Sequence, residues 1–200
     1  MATSFTWCCT RPAVPAVTGP GHWGSRRARV PEPSRRTATT FDAQRRSHRA
    51  DPPAVALADR HYSRKRPGTP QFVSPGRCLV FLTESKDALW VSSWPEYVKH
   101  DWPGSWMCSI FRNEGDVLSS RLIREAVAAT RWNWPDVPAL GMVTFVDRAK
   151  TKPKRDPGYC FQCAGFSVVG KTRGGLVVLQ LLPEDMPEPE PPLGAQLRLF

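Results

Sequence analysis

The chain has 200 residues, and its 28 Lys and Arg residues outnumber its 18 Asp and Glu residues, which gives a formal net charge of +10. A chain of this length accommodates one domain or two small ones. No stretch approaches the roughly 18 apolar residues that a membrane-spanning helix requires. The composition therefore excludes a membrane-spanning helix and favours an anionic partner.

The basic excess is unevenly distributed along the chain. Residues 1–50 carry nine Arg, no Lys and two acids, whereas the net charge is +6 over residues 51–182 and −3 over residues 183–200. The first segment lacks helical and strand periodicity, and its composition cannot bury enough apolar surface to fold. We expect a disordered basic arm over residues 1–52, one folded domain over residues 53–182, and a disordered Pro/Glu-rich tail after it.

Apolar patterns in the central segment predict strands and helices in an alternating order. The longer helix follows Asp116, whose carboxylate can accept the free amides of a helix start. The predicted elements are strands over Arg77–Thr83, Ala88–Trp94 and Trp106–Arg112, a helix over Leu118–Arg131, a strand over Gly141–Val146, a short helix over Gly158–Ala164, and strands over Phe166–Gly170 and Leu176–Leu182. This order predicts an α/β chain, an α+β sandwich whose mixed, largely antiparallel central sheet is flanked by helices.

Several polar residues have chemistry that suits an active site. His61 lies in the basic stretch Asp59–Arg66, where an imidazole can act as a general base or can be simply solvated. Asp147 ends a predicted strand, where a carboxylate can orient an attacking amine or cap a turn. Ser119 and Ser120 open the longer helix, where serine is ordinary capping chemistry and can also bind a ligand or a reacting amine.

Two clusters of cations indicate where DNA would contact the protein, because Lys and Arg neutralise phosphates. The alternative for any run of charges is a solvated loop. The chain also has eight Trp residues, of which some belong to the core and one or two could stack an extruded base. The candidate nucleic-acid-binding residues are Arg60, Arg64, Lys65, Arg66, Arg148, Lys150, Lys152, Lys154 and Arg155.

The cysteines argue for a reducing compartment. Cys160 and Cys163 have a spacing found in zinc and redox sites, but a structural zinc needs four ligands and the sequence offers no second close Cys or His pair. We expect these two cysteines to pack a short helix without a metal. Because the chain has six cysteines and no secretory apolar segment, we expect reduced thiols and a cytoplasmic protein.

The later part of the folded segment resembles the GNAT N-acyltransferases. The residues that carry this likeness are Val143–Asp147, Gly158–Phe166 and Val169–Lys171. In that family a strand leads to a short helix with a tyrosine, and the preceding strand and helix bind acyl-CoA. The resemblance spans roughly residues 55–182 and implies that Tyr159 protonates a departing thiolate.

A narrower resemblance is to the Mom-type proteins, GNAT relatives of phages and prophages that modify DNA bases. The residues that carry it are Asp59–Arg64, Gly68–Phe72, Pro75–Arg77, Ser109–Glu114, Leu118–Ser120 and Asp156–Phe161. It implies a transferase that acts on an exocyclic amine of a DNA base, with His61, Asp147, Tyr159 and Ser120 as catalytic residues and a tryptophan or a tyrosine that stacks the base. It also implies an acyl donor, acetyl-CoA or a related compound, bound by Ile110, Arg112, Ser119, Ser120 and Arg121.

One departure from the GNAT pattern concerns the turn that cradles the CoA pyrophosphate. That turn is normally rich in glycine, because free amides must approach the phosphates closely. Here the turn Arg112–Ser119 has one glycine and two acids, Glu114 and Asp116, which would repel a pyrophosphate. Either the donor is held differently, with Ser119, Ser120 and Arg121 helping, or it is not acetyl-CoA. Two alternatives to a DNA-modifying transferase are a generic N-acetyltransferase of small-molecule or protein amines, against which this turn argues, and a nucleic-acid-binding module without activity on a degenerate GNAT fold.

Overall fold

A central β-sheet organises the part of the chain that the computed structural model describes. The described residues are 41–42, 50–73, 75–95, 101–151 and 156–192. The strands are β1 (Phe41–Asp42), β2 (Arg77–Thr83), β3 (Ala88–Trp94), β4 (Trp106–Asn113), β5 (Met142–Val146), β6 (Ser167–Lys171) and β7 (Val177–Leu181). The helices are α1 (Pro52–Asp59), α2 (Ser119–Asn133) and α3 (Tyr159–Cys163), with 3-10 turns at Arg148–Lys150 and Pro183–Asp185.

The sheet has the order β1-β2-β3-β4-β5-β7-β6. Among the described strands, only β4 and β5 run parallel, since α2 connects them as a crossover. The predicted mixed, largely antiparallel α+β architecture is thus confirmed. Strands β2 to β7 and helices α2 and α3 lie within two residues of their predicted bounds.

Helices cover both faces of the sheet, because successive side chains of a strand point to opposite faces. On one face, Leu79 and Phe81 of β2 pack with α2 and α3. On the other, Val80 and Leu82 pack with α1, of which Leu57 is 1% exposed. All described residues belong to one compact unit. None of the helices in the described ranges is long and apolar enough to cross a bilayer.

Helix α1 was not predicted from the sequence. It begins at Pro52 and Pro53, which occupy the first helical positions, where a missing N–H costs nothing. The apolar residues Ala54, Leu57 and Ala58 then form its buried side. This helix matters for function because the segment that follows it carries His61.

Most tryptophans of the described chain belong to the core. Trp90 and Trp106 are fully buried, and the rings of Trp94, Trp106 and Trp134 contact one another at centroid distances of 5.7 to 6.1 Å. The guanidinium of Arg77 lies 4.9 Å from the Trp94 ring centroid and 5.5 Å from that of Trp134. This cluster stabilises the end of the sheet where β2 and β4 begin.

The segment after β7 does not follow the expectation of a disordered tail. Met186 is 6% exposed and belongs to the core on the α2 side. Arg131 of α2 donates to the carbonyl of Pro187 at 2.5 Å, and the Glu190 amide donates to that of Ala128 at 3.3 Å. Residues 183–192 therefore pack on α2. The Met186 side chain is buried there, and the backbone of Pro187 and Glu190 forms hydrogen bonds with α2.

Candidate functional site

The parallel strands β4 and β5 pair only where they begin. Trp106 lies opposite Met142, and the pairing extends to Cys108 opposite Thr144. Strand β4 continues to Asn113, but beyond Cys108 the described residues include no further β5 partner for it. A gap therefore opens between the carboxyl ends of two parallel strands, which is where open α/β sheets bind ligands.

A tyrosine reaches into this gap from the segment after α1. The Tyr62 hydroxyl donates to the Phe145 carbonyl at 3.5 Å and accepts from the Asp147 amide at 3.4 Å. A carbonyl and the amide two residues later lie on the same edge of a strand, where one residue of a parallel neighbour would bond both. The Tyr62 hydroxyl thus occupies the ladder position that β4 leaves empty when it diverges.

The same segment is tied to β4 by ion pairs. Glu114 accepts two hydrogen bonds from the Arg60 guanidinium, at 2.8 and 2.7 Å, and one from Arg112 at 2.5 Å. Arg112 also donates to the backbone carbonyl of Arg60. The hydrogen bonds from Arg60, with those from Arg112, lower the pKa of Glu114 to about 2. The charge of Glu114 is therefore compensated by two cations, Arg60 and Arg112. Of the two acids in this turn, Glu114 would thus no longer repel a pyrophosphate.

His61 lies between these two attachments. Its ring stacks on Tyr62 at a centroid distance of 4.4 Å, and its Nδ1 lies 2.8 Å from the Ser63 hydroxyl. Burial, and then the positive charge of Arg112, lower the pKa of His61 to about 4. The imidazole is thus neutral at pH 7. Because the Ser63 amide can only donate, and approaches Nδ1 at 3.3 Å, these contacts assign the ring proton to Nε2.

Asp147 lies where β5 ends. Its Oδ1 accepts from the Ala149 amide at 2.9 Å and caps the 3-10 turn, so that the capping interpretation is confirmed. Its Oδ2 has no hydrogen-bond partner among the described residues. The carboxylate is therefore held in place through one oxygen while the other can meet a ligand.

Tyr159 is the first residue of α3 and is 42% exposed. Its neighbour Gly158 lies against the end of β5, since a Cβ added there would be 3.4 Å from Val146 Cγ2. The start of α3 thus lies over β7 and the end of β5, on the face of the sheet that carries α2.

The turn before α2 is organised by Asn113 rather than by an aspartate cap. The Asn113 amide donates to the Val117 carbonyl at 2.7 Å and to the Ser119 hydroxyl at 3.0 Å. Leu118 is the N-cap residue, with no side-chain cap bond, so the prediction that Asp116 caps this helix was wrong. Ser119 is therefore engaged by the turn itself.

The remaining residues predicted to bind the acyl donor separate into different surroundings. Ile110 is 3% exposed and packs in the core on the α1 side, so its side chain is not available to a ligand. Arg121 forms an ion pair with Glu125 at 2.7 Å. A groove of about 370 Å³ runs along α2 and is lined by Ser120, Arg121, Arg124, Glu125, Ala128, Pro187 and Glu190.

The predicted nucleic-acid-binding cations also separate. The Arg64 side chain is only 5% exposed and binds Asp59 at 2.7 Å, so it holds its own loop together rather than facing a phosphate. Arg60 is shared with Glu114, although half of its side chain is exposed. Of the other predicted cations, Lys65, Arg66, Arg148 and Lys150 are exposed. Lys152, Lys154 and Arg155 lie outside the described residues.

Cys108, Cys160 and Cys163 are free thiols in the described part of the chain. Burial raises the pKa of Cys160 to about 11 and also raises that of Cys108. Both are therefore protonated thiols at neutral pH and poor nucleophiles. Within the described ranges, no group of three or more His, Cys, Asp and Glu side chains is arranged to hold a metal.

Two residues at the gap received no role in the sequence analysis. Tyr62 follows His61 directly, but nothing in the sequence shows that its hydroxyl reaches β5. Glu114 looked like an unfavourable charge because its partner Arg60 is 54 positions away. Only the register of β4 against the segment after α1 identifies both.

No protein-family model matches the sequence, and no curated protein or solved structure is significantly similar to it. The likeness to GNAT and Mom-type proteins therefore remains a resemblance carried by the motifs named above.

Proposed function

We propose that the protein is a GNAT-like N-acyltransferase that acts on an exocyclic amine of a DNA base. The observation that carries this proposal is the gap between the parallel strands β4 and β5. Tyr62, His61 and Asp147 meet at that gap, and Tyr159 lies at the same end of the sheet. The edge of β4 that β5 leaves unpaired, next to an imidazole N–H, a carboxylate and a phenol, suits transfer of an acyl group to an amine.

The surroundings of the gap suit an acyl-CoA donor. An extended chain with amide groups can pair with the free edge of β4 beyond Cys108, as added strands do. Ser120 lies in the first turn of the helix that follows, and the charge of Glu114 is compensated by Arg60 and Arg112. When bound, such a thioester supplies an electrophilic carbonyl and a thiol leaving group.

The residues of the chain then have separate tasks. The Asp147 Oδ2 atom can accept the proton that the attacking amine loses as its nitrogen bonds to the carbonyl carbon. His61 presents an Nε2–H that can donate to an oxygen or ring nitrogen in the gap. Tyr159, as the resemblance implies, supplies a proton to the sulfur as the carbon–sulfur bond breaks. His61 acts here as a hydrogen-bond donor rather than as the general base expected from sequence.

Mass spectrometry of nucleosides from the DNA of cells that express the protein tests the proposal. We expect one modified nucleoside whose added mass equals an acyl group. Asp147→Asn should lower its yield at least tenfold because the proton acceptor is lost, and Tyr159→Phe should lower it as well. Asp136→Asn is the matched control, since Asp136 is an exposed carboxylate away from the gap. Canonical nucleosides alone, in cells with soluble protein, would refute the proposal.

The two alternatives give different results in the same samples. A generic N-acetyltransferase acetylates small amines or proteins and leaves the nucleosides unmodified. A binding module retains DNA in a manner that Asp147→Asn and Tyr159→Phe do not affect. The exposed Lys65, Arg66, Arg148 and Lys150 favour a polyanionic acceptor over a small amine. The free thiols of Cys108, Cys160 and Cys163 support a reducing, cytoplasmic setting.

A further inference from the structure

An exposed aromatic ring lies at the open end of β5. The Tyr62 side chain is 42% exposed, while one side of its ring contacts His61 at a tilt of 30°. Its hydroxyl is held between the Phe145 carbonyl and the Asp147 amide. The ring is therefore fixed at its tip and along one side, so that little conformational entropy remains to be lost when a ligand stacks on it.

A second aromatic residue borders the same strand end. The Trp102 ring contacts the Phe145 ring edge-on at a centroid distance of 6.1 Å. Phe145 thus links Trp102 through its side chain to Tyr62 through its backbone. Trp102 and Phe145 are both half-buried, unlike the fully buried Trp90 and Trp106 of the core.

Exposed cations lie close in sequence to Tyr62 and to Asp147, which holds the Tyr62 hydroxyl. Lys65 and Arg66 follow Tyr62 by three and four residues, and Arg148 and Lys150 follow Asp147 by one and three. An aromatic surface bordered by cations matches a nucleic acid, in which flat bases alternate with phosphates. A neutral aromatic metabolite would leave these charges without a partner.

We propose that the exposed ring of Tyr62 is the surface on which the acceptor base stacks, with the base in a single-stranded or extruded nucleotide. Arg148 and Lys150 hold the adjoining phosphates. The assignment of this base as the reacting group rests on the proposed function, whereas the stacking itself does not. Stacked there, a base lies next to the Asp147 carboxylate that would take its amine proton.

A fluorescent base analogue tests this inference directly. The probe is a single DNA strand of about 12 nucleotides with one 2-aminopurine, whose emission falls when the base stacks on an aromatic ring. Full-length protein is titrated into the strand, and emission and anisotropy are recorded together. We expect binding with quenching for the natural protein and for Tyr62→Phe, which keeps the ring.

Tyr62→Ala should weaken binding by about 5- to 100-fold, the usual effect of removing one stacking ring, and should abolish the quenching. Trp132→Ala is the matched control, because Trp132 is 43% exposed but lies at the end of α2. Arg148→Ala should reduce the salt dependence of binding and leave the quenching at saturation unchanged.

Equal affinity and equal quenching for Tyr62→Ala and the natural protein would overturn the stacking role, as would a natural protein that does not bind the strand. If Tyr62→Ala is unfolded by circular dichroism, Tyr62→Leu, which keeps bulk without an aromatic ring, must lose the quenching. If modified nucleosides are found but the quenching is the same without the Tyr62 ring, the stacking role is refuted and the transferase proposal stands. Quenching that depends on Tyr62 without modified nucleosides refutes only the transferase.

Discussion

Single residues set the charge and protonation of the gap. Glu114 carries its charge because Arg60 and Arg112 donate to it, and this arrangement places a cation next to His61. Burial, and then the positive charge of Arg112, lower the pKa of His61, so that its imidazole remains neutral. The Glu114 carboxylate therefore holds the Arg112 guanidinium beside His61.

Replacing Glu114 with Gln should reduce the free energy of unfolding at pH 7 by about 1 to 2 kcal/mol, because two charge-assisted contacts become neutral and the exposed part is screened. The folded pKa of about 2 lies below the ordinary value of 4.5, so the carboxylate stabilises the fold above pH 4.5. That contribution disappears as the pH falls towards 2. Urea denaturation between pH 7 and pH 3 measures the difference.

Glu84→Gln is the control, since Glu84 is an exposed carboxylate in the β2–β3 turn. A Glu114→Gln variant whose deficit against the natural protein stays constant down to pH 3 would contradict the ion-pair account.

At the scale of elements, the start of the parallel pair determines where the gap opens. The Trp106 amide donates to the Gly141 carbonyl at 2.9 Å, just before β4 and β5 come into register. Gly141 has a φ of 61°, and a Cβ there would lie 2.0 Å from the Leu181 carbonyl oxygen of β7. Only glycine lets β5 enter between β4 and β7 at this level.

Gly141→Ala should therefore destabilise the protein strongly, by about 3 kcal/mol or more, because backbone strain adds to a clash with another backbone. Gly175→Ala is the control. Its φ is 83°, but nothing lies within 4 Å of the added Cβ, so we expect only the conformational cost of about 1 to 2 kcal/mol. Thermal and urea unfolding compare the two, and equal losses would contradict a packing role for Gly141.

At the scale of the whole molecule, the segment after β7 completes the core behind the gap. Met186 is buried against the cluster that includes α2 and α3, and its neighbours bind the carbonyl and guanidinium groups that α2 presents. The acidic Pro/Glu segment is thereby part of the fold through residue 192.

Met186→Ala should lower the free energy of unfolding by about 2 to 4 kcal/mol, the range for truncating a buried methionine. Glu188→Ala, at an exposed position in the same segment, should change it by less than about 0.5 kcal/mol. Urea denaturation of both variants measures the contrast. Loss of less than 0.5 kcal/mol in Met186→Ala would show that the segment adds nothing to the core.

Local patterns determined most elements of the sheet. Arg77–Thr83 has the apolar pattern of a strand, and the residues after Leu118 have that of a helix. Each element must bury its apolar residues, and this periodicity can be read from a short window of sequence. Helix α1 was not predicted, because its eight residues are too few to show a clear helical period, although Pro is compatible with a helix start. The packed segment around Met186 was missed because its composition is that of a polar tail.

Local sequence patterns were enough for the class of fold, for the order of β2 to β7 with α2 and α3, and for the candidate residues His61 and Asp147, while the GNAT resemblance added Tyr159. Packing between distant elements selects the other residues of the site. Tyr62 faces β5, Glu114 pairs with Arg60, and Arg64 is withdrawn into its own loop. These outcomes depend on contacts between residues more than 50 positions apart, or on which side of a loop a side chain points. Neither the spacing nor the identity of neighbouring residues encodes such contacts, because the register between distant elements is set by packing of the whole core.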